Sequence, residues 1–271
     1  MEKLVKTGRI FYGFAMAAVG IHQLFYSDFC LMLFPHWPSL VPGLPVIAWI
    51  GSLALIAAGL AIIFEKQART VSLILGAILL AIFLFIYVPY EILKDPYSKH
   101  IGSWVSAFKE FALAGGAFAI AGSLPAGQEH EKTYIRFLEK FIPFGSVLFS
   151  ITMIDFGIGH FLYIQYVAQM VPDWISAHVF WTYFAGVALI AAGSAIILRI
   201  WLKPVAILLG IMIFIWFVTL HIPGAIEEPL VDKGNEIVSA FSALAFSGIA
   251  FVISGGYFKT GAKENEKNLQ H

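Results

Sequence analysis

The sequence predicts an all-α integral membrane protein: eight transmembrane helices forming two parallel four-helix repeats, with both termini cytoplasmic. Three observations predict it. The chain is 59% hydrophobic and 13% charged with mean hydropathy +0.83, more apolar surface than a soluble domain of this length can hide. Eight predominantly apolar stretches of about 20 residues, the length that crosses a hydrocarbon core of roughly 30 Å, run near 9–29, 45–64, 70–90, 103–123, 144–166, 178–199, 203–223 and 236–258. They lack the alternation of barrel strands, so each is read as a helix. Finally, LALIAAGLAII at 53–63 and VALIAAGSAII at 187–197 match at nine of eleven positions, an internal duplication.

The first stretch follows Lys3, Lys6 and Arg9. It is long for a signal peptide and has no small-residue cleavage site before His22 and Gln23, so a retained helix is expected. The loop from Phe34 to Pro45 holds four prolines with His36 and Trp37, and VPDWI at 171–175 is its counterpart. Both read as wedges at the lipid headgroups, where Trp is favoured. The copies further align at His22 with His160, Pro35 and Trp37 with Pro172 and Trp174, Val88 and Pro89 with Ile222 and Pro223, and Val105 to Phe108 with Val238 to Phe241. The expected units are therefore a first repeat at 1–124, a polar cytoplasmic linker at 125–143, a second repeat at 144–258 and a disordered tail at 259–271. Small residues spaced by four, Ala54 with Ala58 and Ala57 with Ala61, suggest close helix contacts in lipid.

Thirteen of the 17 Lys and Arg residues fall on one side of this topology. They are Lys3, Lys6, Arg9, Lys66, Arg69, Lys132, Arg136, Lys140, Arg199, Lys203, Lys259, Lys263 and Lys267. Lys94, Lys99, Lys109 and Lys233 are left for the other side, so both termini are expected in the cytoplasm. Zero net charge thus conceals a basic inner face and an outer rim of Asp28, Glu91, Asp95, Asp173, Glu227, Glu228 and Asp232. Four crossings per unit give both copies the same orientation, unlike the inverted repeats of many transporters.

The lone Cys30 excludes an internal disulfide and a CxxC relay. No phosphate-cradling glycine loop, HExxH helix or arginine ladder is present. The chain carries no flavin, nicotinamide, iron–sulfur or metal motif, and nucleic-acid binding has no support.

What remains are polar groups within apolar helices. Asp155 lies about 16 Å from the inner end of its stretch, near the bilayer midplane. His160 is one and a half turns further out, and His221 ends the seventh stretch at a similar level. The first copy has His22, has Tyr87 where the second has His221, and has Ala17 where it has Asp155. Lys109 and Glu110 lie about 10 to 12 Å below the outer surface; as neighbours they face different ways, Lys109 snorkelling outward and Glu110 inward. An intramembrane carboxylate is costly unless it serves a cavity or a partner. The expected catalytic set is Asp155 as proton acceptor with His160 and His221 as hydrogen-bond donors. Ligand contacts are expected from His22, Tyr87, Glu110 and Trp174. The competing reading has the same groups hydrogen-bonding neighbouring helices to fix the bundle. A haem held between His160 and His221 needs a flat slot that Gly157 and Gly159 do not provide, so the protein is expected to be colourless.

At these residues a resemblance appears. GIGHFLYIQYVAQMVPDW at 157–174, VALIAAG at 187–193 and LHIP at 220–223, with Arg9, Gly13 and Gly20 in the first half, resemble the DoxX-like family of small membrane proteins. Members are typically single four-helix units, so this chain resembles a tandem fusion, with Val147 aligned to Arg9. The resemblance implies a bacterial cytoplasmic (inner) membrane protein. It implies association with thiosulfate and quinone oxidoreduction or membrane redox complexes, while distant relatives escort cargo or assist receptor assembly. The leading expectation is a redox-associated subunit binding a quinone-like or amphipathic molecule in an outward-facing polar cavity of the second half. It would need membrane lipid around it and a soluble or membrane redox partner carrying the electrons. A non-enzymatic lipid or client-protein binder is the runner-up, and a small-molecule or proton transporter the third reading.

Overall fold

The computed structural model describes residues 1–35, 43–126 and 132–256. His36, Trp37, most of the polar linker run and the tail at 259–271 lie outside the described residues. Among the described residues all regular structure is helical. Eight helical segments are long and apolar enough to cross a membrane: α1 (Glu2–Tyr26), α2 (Leu44–Ile63), α3 (Ala68–Leu93), α4 (Ile101–Gly122), α5 (Thr133–Leu162), α6 (His178–Ile197), α7 (Leu202–Glu227) and α8 (Val231–Ser254).

Their packing forms a closed ring of all eight helices, pinched in the middle where α4 and α8 meet. α1 packs on α2 and α8, α5 on α6 and α4, α3 on α4 and α7 on α8. Lighter α2–α3 and α6–α7 contacts close the ring, and α4 meets α8 across its middle. Accordingly α8 and α4 are the most buried spans, at 83% and 72%, while α7 presents most of its surface outward. Glycine decides the closest approaches. A Cβ on Gly8 would lie 2.4 Å from the Gly248 carbonyl oxygen, and one on Gly145 would lie 2.7 Å from that of Gly115. Backbones meeting at such range need residues without side chains. The expected alanine contact on α2 is corrected: Ala54 and Ala57 are exposed, and it is Gly59 that meets Gly13, with Ser52 against Gly20.

These contacts also move the register of the first helices by one residue. Gly20 abuts Ser52 and Ile56, while Gly157 abuts Gly186 and Ile190, so Gly20 stands in the place of Gly157. His160 then corresponds to Gln23 and not to His22, Asp155 to Ala18, and Arg9 to Ser146. A one-residue slip turns a helical position by about 100°, enough to change which neighbour it meets.

Two prolines shape α3 and α7 alike. Pro89 and Pro223 lack an N–H and crowd the carbonyls four residues back, those of Phe85 and Thr219. In both helices the preceding turn widens into a π-helix, Phe83–Tyr87 and Phe217–His221, ending on Tyr87 in one and on His221 in the other. The α2–α3 and α6–α7 turns share another feature, positive φ at Glu65 and Gln67 in the first and at Arg199 and Trp201 in the second.

One end of the bundle is tied by arginine. Arg69 donates to the carbonyls of Ala121 (2.8 Å) and Leu124 (2.6 Å) and to Glu139 Oε1 through Nε (3.0 Å) and Nη2 (2.8 Å). Arg9 donates to Glu65 Oε1 (3.0 Å) and to Ser123 O and Oγ (3.4 Å each). The Ala121 carbonyl in the last turn of α4 and the Ser123 and Leu124 carbonyls just beyond it thereby gain cationic donors that also suit the helix dipole. At the opposite end Lys233 pairs with Asp28 at 2.6 Å, and the Gly102 N–H donates to the Tyr163 hydroxyl at 3.1 Å.

Candidate functional site

The residues singled out from sequence fall in separate places. Asp155, on α5, is 8% exposed and has no hydrogen-bond or ion-pair partner among the described residues. His160 bonds through Nδ1 to the carbonyl of Phe156 at 2.7 Å, and its ring lies 6.4 Å from Trp216 of α7 at an interplanar angle of 24°. A ring nitrogen facing a carbonyl must carry the proton, so the neutral ring presents Nε2 as an acceptor only. Five residues separate Asp155 from His160, which sets them about 140° apart around the helix. His221 lies five residues beyond Trp216, where the Lys109 charge reaches it from α4. Lys109 also turns toward α8, donating to Ser239 Oγ at 3.4 Å beside Glu236. No contact joins Asp155, His160 and His221 among the described residues.

On the first-half side, Tyr87 is 1% exposed and donates its hydroxyl to the Leu31 carbonyl. Glu110 is fully buried, with neither carboxylate oxygen hydrogen-bonded, near Tyr87 and Cys30. Trp174 stands 70% exposed in the loop after α5. Lys109 and Glu110 do diverge as adjacent helical residues must, with Lys109 directed at α8.

His22 belongs to a different setting. Its ring packs 4.8 Å from Tyr26, and its buried nitrogens face the Lys233 and Gly234 backbone without a well-formed hydrogen bond. Gly234, at φ +72°, permits that approach; a Cβ there would stand 2.8 Å from His22 Nε2. His22 forms part of the wall of a cavity of about 260 Å³ with Tyr26, Phe29, Cys30, Phe34, Asn235 and the Asp28–Lys233 pair. Beneath it, Gln23 Nε2 donates to Cys30 Sγ (3.5 Å), and the Ser52 hydroxyl donates to Gln23 Oε1 (3.2 Å). Burial pushes the Cys30 thiol up to about 11, so it sits there as a weak donor and not as a nucleophile.

A neutral imidazole has one donor and one acceptor, and a buried ring nitrogen without a well-formed hydrogen bond costs on the order of 1–3 kcal/mol. This cavity lies beside the end of α1 and is not the one expected in the second half, since Asp155, His160 and His221 do not line it. Gln23, Ser52, Asp28 and Lys233 were missed as site residues. Gln23 and Ser52 left a trace in the sequence as polar residues inside apolar stretches. Asp28 and Lys233 left none, since 205 positions separate them. Among the described residues no three His, Cys, Asp or Glu side chains converge to hold a metal ion.

No protein-family model, curated protein or solved structure matches the chain.

Proposed function

We propose that this chain is a bacterial inner-membrane protein, a tandem DoxX-like unit. It holds the polar head of a quinone-like or other amphipathic molecule beside His22 and serves a partner protein that carries the electrons. The observation that carries this reading is His22 on the wall of the cavity, its imidazole held by no well-formed hydrogen bond. A quinone oxygen would accept from the imidazole N–H, Tyr26 and Phe29 would flank the ring, and the Asp28–Lys233 pair would lie over it. Asp155 serves as proton acceptor in the second half. Its lack of a partner argues against the competing role of hydrogen-bonding neighbouring helices, which would require one. His160, with Nδ1 held by its own helix, would receive a bond at Nε2 when neutral and donate there only when protonated.

Several matched features support the parallel-repeat part of the reading: Gly8 on Gly248 with Gly145 on Gly115, the paired π-helices, and the paired turns at Glu65 and Arg199. Like-oriented repeats differ from the inverted repeats of many transporters, which leaves the transporter reading third. A non-enzymatic lipid binder keeps one supporting observation, the cavity volume. At about 260 Å³ it falls just below the roughly 300 Å³ of ordinary small-molecule sites, which suits a head group more than a whole ligand. Binding of a short-tail quinone to the detergent-solubilised protein tests the proposal. His22→Leu should weaken it about tenfold, the loss of roughly one hydrogen bond. Unchanged affinity would remove His22 from the site.

A further inference from the structure

The two halves differ most at the end held by arginine, and the difference leaves a second cavity. In the first half, Arg9 of α1 reaches Glu65 in the α2–α3 turn and Ser123 at the end of α4. Arg199 occupies the place of Glu65 in the α6–α7 turn, each residue being the first of two with positive φ. The register fixed by the glycine contacts puts Ser146 where Arg9 stands. The carboxylate has become a guanidinium, and the guanidinium a small hydroxyl. A cavity of about 230 Å³ results, with Ser146 and Arg199 set among apolar walls from Ala119, Ile196, Leu202 and Val252. Among the described residues no carboxylate lines it, and Arg199 has no hydrogen-bond or ion-pair partner. Beside Arg199 in the α6–α7 turn, Leu198, Ile200 and Trp201 are exposed, at 66%, 55% and 79%.

We infer that this cavity takes the phosphate of an anionic phospholipid. Arg199 supplies charge-assisted hydrogen bonds, and the acyl chains lie over the apolar residues that flank it in the α6–α7 turn. Basic pockets between membrane helices on the cytoplasmic side suit such head groups, and a guanidinium suits phosphate geometry better than an ammonium. The inference rests on the membrane reading and is independent of the cavity beside His22. Lys203, two residues beyond the exposed Trp201, adds to the positive field at this end.

Native mass spectrometry of the full chain from phosphatidylcholine nanodiscs doped with phosphatidylglycerol tests it. Wild type should retain a single phosphatidylglycerol in preference to phosphatidylcholine. Arg199→Gln should weaken retention about tenfold, as loss of a charged hydrogen bond implies, and Ser146→Leu, which fills the cavity, should do likewise. Lys94→Gln, which removes an equal charge from an exposed position at the other end, should change nothing. Equal retention of both lipids, or an unaffected Arg199→Gln variant, would overturn the proposal. So would full protection by inorganic phosphate alone, which would mark a free-anion site. Retention that emerges only when Glu264 and Glu266 are both changed to Gln would show the tail carboxylates as the occupant, and would equally overturn it.

Discussion

Replacing Gly8 by alanine probes the packing on which the bundle depends. The new Cβ would lie 2.4 Å from the Gly248 carbonyl oxygen, and 3.0 Å from both Phe251 Cβ and Val252 Cγ2. An ordinary carbon-to-carbonyl contact is about 3.3 Å, so α1 and α8 must part locally by about 0.9 Å. The nearest opposing atom is backbone, which cannot swing aside. Overpacking of this kind costs about 1–3 kcal/mol, and alanine's better helix propensity returns about 1 kcal/mol. Gly159 on α5 provides the control, because a Cβ there meets nothing within 4 Å; Gly159→Ala gains the propensity alone. Gly8→Ala should therefore unfold more easily than Gly159→Ala by about 2 kcal/mol in denaturant titrations in mixed micelles. Gly145→Ala, on the matched contact with Gly115, should behave like Gly8→Ala. If Gly8→Ala proves as stable as Gly159→Ala, the two helices do not meet at Gly248 and the ring arrangement is wrong.

Further outcomes follow from individual residues. Burial pushes the Cys30 thiol up to about 11 and the thiolate is the reactive form, so alkylation should accelerate about tenfold per pH unit from 7 to 10. A plateau near pH 8.5, where an ordinary thiol titrates, would contradict that burial. Asp155→Ala should lower activity while leaving expression, the thermal midpoint and ligand retention beside His22 unchanged, since no hydrogen-bond partner is lost among the described residues and Asp155 does not line that cavity; a variant that fails to fold would make Asp155 structural. A reporter fused after His271 should read cytoplasm and one inserted at 227–233 should read outside, following the thirteen-to-four division of basic residues. The reverse pattern would invert every placement along the membrane normal.

The eight spans were legible because apolar length is what a bilayer demands, and Ala68–Leu93 extends the expected 70–90 by only a few residues. Which face of each helix turns inward was much less legible. In α2 both faces are apolar, so composition could not show that Ser52 and Gly59 are buried while Ala54 and Ala57 are exposed; the cue of a polar outer face is missing in lipid. The paired prolines were visible, whereas their effect, a π-helix that ends on Tyr87 or His221, depends on how the helix accommodates a missing hydrogen bond. His22 and His160 align by identity, whereas the glycine contacts on the neighbouring helices pair His160 with Gln23. His22 was recognisable as a candidate. Its cavity was not, because its wall joins the chain after α1 to the start of α8.

The central claim is that the cavity beside His22 holds an amphipathic head group. Mass-spectrometric identification of small molecules extracted with the purified protein, from wild type and His22→Leu in parallel, tests it most directly. A quinone-like or comparable amphipathic molecule should accompany wild type at about one per chain and be depleted about tenfold in the variant. Extracts that are identical, or that contain only bulk phospholipid in both, would contradict the account.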